Sequence, residues 1–394
     1  MSISLRTNLH IFLFLNLLKK ILKMTLALII ILIAVLLVTA FLFTRFSPQF
    51  GGKPSAAHIE AFQKSGRYSN GIFVNEIPTS MEMGFGKFMS ILKDYIVGVP
   101  NQAPRIPLPV QSIDSLDIVN RPDTITRLTW FGHSAFLLEI QGKNILIDPM
   151  FGPTPSPHPW LGKKRFTEGL PIAVEKLPRI DAVIYSHDHY DHLDYESVMK
   201  LKEKVGVFYT PLGVGMHLAE WGVAKDQIYE LNWWDEIQLD DLTFKCAPAR
   251  HFSGRAFTDR FSTLWASWVI QSPTKNIYFS GDSGYGSHFK TIGEKFGPFD
   301  FAMMECGQYD PRWSEIHMMP EETAQAAVDI NAKMMMPIHW GSFVLALHTW
   351  KDPIERVTKK ADELNMPIAT PKIGQPIILE LPAKPMERWW EVIE

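Results

Sequence analysis

The sequence predicts an α+β body, an αββα two-sheet sandwich with helices outside, behind an N-terminal transmembrane helix. Three observations lead there. Residues 24–44, MTLALIIILIAVLLVTAFLFT, carry no charge. From Arg127 onward, short apolar strands come first as a hairpin and later alternate with helical patterns. No glycine-rich phosphate loop follows a strand, so a simple doubly wound sheet fits less well.

The uncharged run comes first. At 1.5 Å per residue it spans about 31 Å, the thickness of a bilayer's hydrocarbon core. A buried core helix would be shorter or amphipathic. A cleaved signal peptide competes, with Val38-Thr39-Ala40 as a small-residue site, but the apolar run continues past it. The reading adopted is an uncleaved anchor. Lys19, Lys20 and Lys23 precede it, so the N-terminus is expected in the cytoplasm and the body across a single-pass cell-membrane span. Leu9–Leu22, broken by Asn16 and two lysines, reads as an interfacial lead-in within residues 1–45.

Residues 46–126 read as an extended arm, because the proline density of PNQAPRIPLPVQ (100–111) forbids helix or central strand. The main domain then runs over 127–394. It opens with the hairpin RLTWFGHSAFLLEI and ILIDP around Gln141-Gly142. A buried strand is expected at 181–186 and a helix from Asp194. Further strands are expected at 205–210, 242–247, 262–271, 276–280, 299–304 and 334–338. Helices are expected at 320–330, with Pro320 at its first position, and at 352–364.

Composition narrows the function. Of 394 residues 46% are hydrophobic and 21% charged, as in a chain that buries a core rather than a disordered one. Two cysteines, Cys246 and Cys306, cannot build a disulfide framework or a cysteine zinc finger. Any metal site must therefore use His and carboxylates. Residues 1–45 hold five of the 39 basic residues and no acid, leaving 34 basic against 42 acidic residues, a net of −8. A body this acidic argues against nucleic-acid binding, which needs Lys and Arg on phosphates.

The chemistry concentrates in Ser186-His187-Asp188-His189-Tyr190-Asp191-His192-Leu193-Asp194, directly after a predicted strand. His187 and His189 can face one metal, and Asp191 with His192 a second. Nitrogen and oxygen donors without thiolate suit zinc, with iron or manganese as substitutes. Three later ligand-type residues also follow predicted strands directly: His251, Asp282 and His339. Together these donors suffice for two ions, a bridging carboxylate and an open position for water, which suggests hydrolysis. Trp233-Trp234 and Trp389-Trp390 read as core aromatics. Asp148 reads as support for a ligating histidine, Asp188 and Asp194 as further supports or helix caps, and Cys306 as a buried hydrophobe. His133 stays unassigned.

The HDHYDH run with the downstream His, GD-G and IHWG elements resembles the metallo-β-lactamase superfamily. More narrowly, TWFGHSAF, IDP, PRIDAVIYSHDHYDHLDY, TLWASWVI, GPFD, YDPRW and IHMMPEE resemble the N-acylphosphatidylethanolamine-hydrolysing phospholipase D family, over about residues 128–352. The resemblance implies the metallo-β-lactamase fold and two zinc ions. It places His187, His189 and His251 on the first ion, Asp191, His192 and His339 on the second, and Asp282 on both. It puts Tyr190 and His317 at the substrate headgroup. His317 also lies just before a helix start, a place that suits an anion.

By resemblance, then, the protein is a membrane-anchored zinc phosphodiesterase. It would cleave an amphiphilic phosphodiester, N-acylphosphatidylethanolamine, to an N-acylethanolamine and phosphatidic acid. A hydroxide between the ions would attack phosphorus, with Asp282 holding the pair and His317 or metal ligation helping the alcohol leave. Its partners would be a phospholipid substrate and the bilayer, without nucleic acid, and a homodimer is compatible. Two other readings stay open: a lactonase or amidase of the same fold, and a tethered metal-binding protein without turnover.

Overall fold

The computed structural model describes residues 3–80, 84–256, 258–382 and 384–393. One uninterrupted helix, α1 (Ile3–Phe46), opens the chain, and residues 12–46 of it are long and apolar enough to cross a membrane. The segment expected as a lead-in belongs to this helix. Its lysines interrupt the apolar run but are themselves good helix formers. Residues 1–50 and 51–394 form separate compact units.

The segment expected as an extended arm carries its own elements: α2 (Ala56–Lys64), the hairpin β1 (Tyr68–Ser69) and β2 (Ile72–Phe73), α3 (Phe85–Val97) and α4 (Ser115–Val119). From Gly51 it belongs to the same compact unit as the rest. Local caps set these helices: Ser55 Oγ accepts from the His58 amide, and the Asp114 carboxylate from the Leu116 amide. The proline-rich stretch has no helix, and Val110 bridges Ile373.

The remaining elements are β3 (Arg127–Trp130), β4 (Phe136–Ile140), β5 (Lys143–Ile147), β6 (Ile180–Ile184), α5 (Tyr195–Leu201), β7 (Val205–Pro211), α6 (Gly215–Glu220), β8 (Ile228–Leu231), β9 (Glu236–Leu239), β10 (Leu242–Ala247), β11 (Ser267–Gln271), β12 (Asn276–Phe279), α7 (His288–Phe296), β13 (Phe301–Glu305), α8 (Pro320–Asp329), β14 (Met335–Ile338), α9 (Asp352–Glu363) and β15 (Pro376–Ile378). Among the described residues, one sheet has the order β15-β3-β4-β5-β6-β7-β8 and the other β14-β13-β12-β11-β10-β9. This is the two-sheet sandwich. The β4–β5 hairpin turns through Gln141 (φ +49°) and Gly142 (φ +71°), the left-handed pair that a two-residue turn between twisted strands requires.

Period-two packing between two covered faces explains why β4 is buried throughout. Phe136, Leu138 and Ile140 point into the core between the sheets, while Leu137 packs outward with Leu146, Val198 and Leu201 under α5. The strand expected over 262–271 begins only at Ser267. Before it, the Leu264 and Ala266 amides donate to Leu212 O and Ser186 O, loops leaving the other sheet. Those bonds tie the loop of clustered histidines to the second sheet.

Glu139, fully buried on β4, holds two arginines: Arg127 Nη2 at 2.7 Å and Arg121 Nη1 at 2.9 Å. Removing one side of a buried pair strands the other. Glu139→Ala should therefore destabilise the body by about 3–5 kcal/mol, read by urea denaturation.

Candidate metal centre

Every donor in the centre stands just past the C-terminal end of a strand, where the backbone leaves the ladder and can turn its side chains inward. His187, His189, Asp191 and His192 follow β6, and His251 follows β10. Asp282 follows β12, and His339 follows β14. Both sheets contribute, and their strand ends meet at one edge of the sandwich.

The seven donors converge in two groups that share Asp282. In the first, His187 Nε2 lies 2.9 Å and His251 Nε2 3.2 Å from His189 Nδ1, and each of those two Nε2 atoms lies 3.8 Å from Asp282 Oδ2. In the second, Asp191 Oδ2 lies 3.1 Å from His339 Nε2 and 3.5 Å from His192 Nε2. Both of those nitrogens lie 3.2 Å from Asp282 Oδ2. All are buried or nearly so.

A shell of acceptors aims the rings. Asp148 Oδ2 accepts from His192 Nδ1 at 2.6 Å, and its Oδ1 accepts from the Ser186 amide at 2.7 Å. Ser186 Oγ faces His187 Nδ1 at 2.9 Å, and Ile316 O faces His251 Nδ1 at 2.9 Å. With one ring nitrogen bonded outward, the other presents its lone pair inward. Asp148 thus has the supporting place read from sequence. Asp194 instead caps α5 through the Ser197 amide, and Asp188 bonds Gly254, Thr263 and His217.

Backbone strain gathers here too. His133, Asp148 and His339 have φ of +55°, +39° and +66°, left-handed values that non-glycine residues adopt at a cost. A Cβ on Gly307 would lie 1.9 Å from His339 O, so only glycine lets that backbone pass.

Sequence reasoning missed three contributors. His133, left unassigned, places Nε2 2.9 Å from Asp191 Oδ2 and groups with the second set of donors. Glu305, fully buried at the end of β13, sits 2.6 Å from His317 Nδ1 and also accepts from the Met318 amide. The signal that found His251, Asp282 and His339, a polar residue directly after a strand, was present at Glu305 as well. Arg255 donates to the carbonyls of Asp188 and Leu193 and so clamps both ends of the HDHYDH loop.

Of the two expected headgroup residues, His317 groups with Asp282 and His339, its ring stacked 5.4 Å from His339. Tyr190 is half-buried within the HDHYDH loop. Its hydroxyl donates to Arg255 O at 2.7 Å, and the Arg255 guanidinium lies over its ring. Burial pushes the phenol up to about 12.

The electrostatics fit divalent cations. Burial holds His187 and His251 well below the ordinary histidine value, which leaves them neutral donors. Burial also works against charge on His192 and His339. Even so, facing carboxylates, Asp282 first, push His192 well above its usual value and His339 up to about 10. Burial opposes ionisation of Asp282 too, yet His192 and His339 hold it well below the carboxylate range. The centre therefore draws positive charge, and protons and cations compete for the same nitrogens. Asp282 Oδ1, also buried, has no hydrogen-bond partner among the described residues. That is the state of a donor shaped for a metal.

It follows that loading the metal-free protein at neutral pH should release protons, because His192 and His339 must give theirs up. Titration calorimetry of zinc in buffers of different ionisation heat should show that release. Affinity should rise with pH until His339 has titrated near 10. Binding without proton release would show that both imidazoles are already neutral in the metal-free protein.

A two-sheet sandwich with His and Asp donors converging at its strand ends defines a metal-dependent hydrolase. The chain belongs to the beta-lactamase superfamily, whose domain, described as "Beta-lactamase superfamily domain", matches residues 143–340. An uncharacterised protein of Mycobacterium tuberculosis is 40% identical over 86% of this chain and 91% of its own length. The N-acyl-phosphatidylethanolamine-hydrolyzing phospholipase D 1 of Caenorhabditis elegans is 33% identical over 60% of this chain and 69% of its own. Among solved structures, Igni18, a metallo hydrolase from Ignicoccus hospitalis, shares the fold with a TM-score of 0.52 at 22% identity. The match covers 66% of this chain and 100% of that one.

Proposed function

We propose that the protein is a membrane-anchored phosphodiesterase of the phospholipase D type. It holds two zinc ions and cleaves N-acylphosphatidylethanolamine to phosphatidic acid and an N-acylethanolamine. The observation that carries this reading is the 33% identity to a nematode relative named for that reaction. The apolar helix α1 supports it by keeping the body beside lipid, with the N-terminus cytoplasmic and the body on the far side.

Divalent ions in the two donor groups supply Lewis acidity, which activates water and draws charge from a phosphoryl oxygen. The protein's own residues do the rest. His187, His189 and His251 would hold one ion and Asp191, His192 and His339 the other, with Asp282 within reach of both groups. His317 lies beside Asp282, and Glu305 accepts from its Nδ1–H, so Nε2 keeps its lone pair, takes a proton from the attacking water and hands it to the departing alcohol. A bond forms between water oxygen and phosphorus, the phosphorus–oxygen bond to ethanolamine breaks, and the freed oxygen takes the proton. Tyr190, stacked on Arg255, stiffens the loop at the headgroup end.

The test is a product assay with the full chain, loaded with zinc and mixed with vesicles containing N-acylphosphatidylethanolamine. Mass spectrometry should find N-acylethanolamine and phosphatidic acid in equal amounts. Hydrolysis only of carboxylic esters, lactones or amides would overturn the reading. So would two bound ions with no phosphodiester turnover.

A further inference from the structure

A helix packed on a body normally turns its apolar stripe inward. α3 does the reverse. Phe85, Phe88, Met89, Leu92 and Ile96, spaced to share one face, are all solvent-exposed, with Phe85 at 80% and Ile96 at 76%. On the inner side only Ile91 is buried. The rest of the attachment is polar: Asp94 pairs with Arg312 at 2.7 Å, Arg312 also reaches Ser90 Oγ at 3.0 Å, and the Tyr95 hydroxyl donates to Leu345 O at 2.9 Å. An apolar face held outward by polar struts calls for an apolar phase outside the protein.

We propose that α3 is an interfacial helix whose outward stripe dips into the headgroup–acyl boundary of the bilayer that holds α1. Charge agrees. Between 84 and 105 the lone acid is Asp94, which shares Arg312 with Asp310, while Lys87, Lys93 and Arg105 suit anionic headgroups. The tether agrees as well. α1 ends at Phe46 and the body begins at Gly51, so residues 47–50 tie the body to the anchor and even weak affinity for the surface is effective. One helical stripe, by contrast, offers little of the roughly 1,200–2,000 Å² of a stable protein interface. α3 rests on the segments that follow Glu305 and His339, since Arg312 and Leu345 lie there. Its docking therefore faces that edge of the metal centre towards lipid. The inference rests on the membrane placement proposed above but not on the substrate.

Spin labels test it in the full-length protein. Both native cysteines are buried, so labels go onto Phe88→Cys and Leu92→Cys, with Leu32→Cys in α1 and the exposed Lys359→Cys on α9 as references. The protein is reconstituted singly in nanodiscs of phosphatidylcholine, with and without phosphatidylglycerol. Collisions with oxygen and with a water-soluble nickel chelate are then compared. The α3 labels should favour oxygen several-fold, as the Leu32 label does, and more strongly with phosphatidylglycerol, while the Lys359 label favours nickel. If the α3 labels follow Lys359 while Leu32 stays in lipid, the docking is refuted and the anchor stands. If the Leu32 label also meets nickel, the membrane placement falls, and the docking with it. Labels shielded from both agents, with dipolar broadening at higher loading, would mean that a second copy covers the stripe, which also refutes the proposal.

Discussion

Asp282→Asn should leave the fold intact and reduce turnover by well over the roughly 10–100-fold that follows loss of a partner behind a metal ligand. The reason is geometric. Asp282 Oδ2 lies within 3.8 Å of ring nitrogens from His187, His192, His251 and His339, so one atom serves both donor groups. An amide of the same shape keeps the packing but loses the charge. It also puts an N–H or a weaker acceptor among four imidazoles. Metal analysis should find fewer than two ions per chain, with near-UV circular dichroism unchanged. A variant that kept both ions and activity within about tenfold of the parent would show that Asp282 bridges nothing.

Glu305→Gln is the second large effect, and it acts through His317. The glutamate accepts from His317 Nδ1 at 2.6 Å and is held by the Met318 amide, so it sets which ring nitrogen faces Asp282. Exchanging a carboxylate for an amide behind a catalytic imidazole can cost up to about 10⁴ in kcat by favouring the wrong tautomer. Here kcat should fall by about 10²–10⁴ with the metal content retained. His317→Ala should fall equally far, and the double variant no further, because the two act as one unit. Additive losses would place Glu305 in the scaffold alone. His339 Nδ1 also lies 3.6 Å from the same carboxylate, so metal content must be measured beside kcat.

Much of the centre was legible because its donors follow a local rule. A hydrophobic strand ends, and an imidazole or carboxylate follows within one to four residues, from His339 one past β14 to His251 four past β10. HDHYDH announces itself by density, while His251, Asp282 and His339 do so by position. Glu305 obeys the same rule, yet on its own it reads as an ordinary acid at a strand end. His133 was unreadable for a different reason. Its role rests on a left-handed turn and on a contact with Asp191 across 58 positions. The arm over 46–126 misled because prolines near 100–111 coloured the whole segment, although α2 and α4 have their own capping residues.

What local chemistry decided is the kind of protein this is: an apolar helix long enough for a bilayer, and a donor set of nitrogen and oxygen suited to hard or borderline cations. Such properties are written in composition and short-range period, and no distant contact can alter them. The roles of Glu305 and His133, the distances from Asp282 Oδ2 to four imidazoles, and which way the stripe of α3 points were settled only when the two sheets closed. Each depends on side chains brought together from strands far apart in the chain, and a one-dimensional pattern holds no record of those distances.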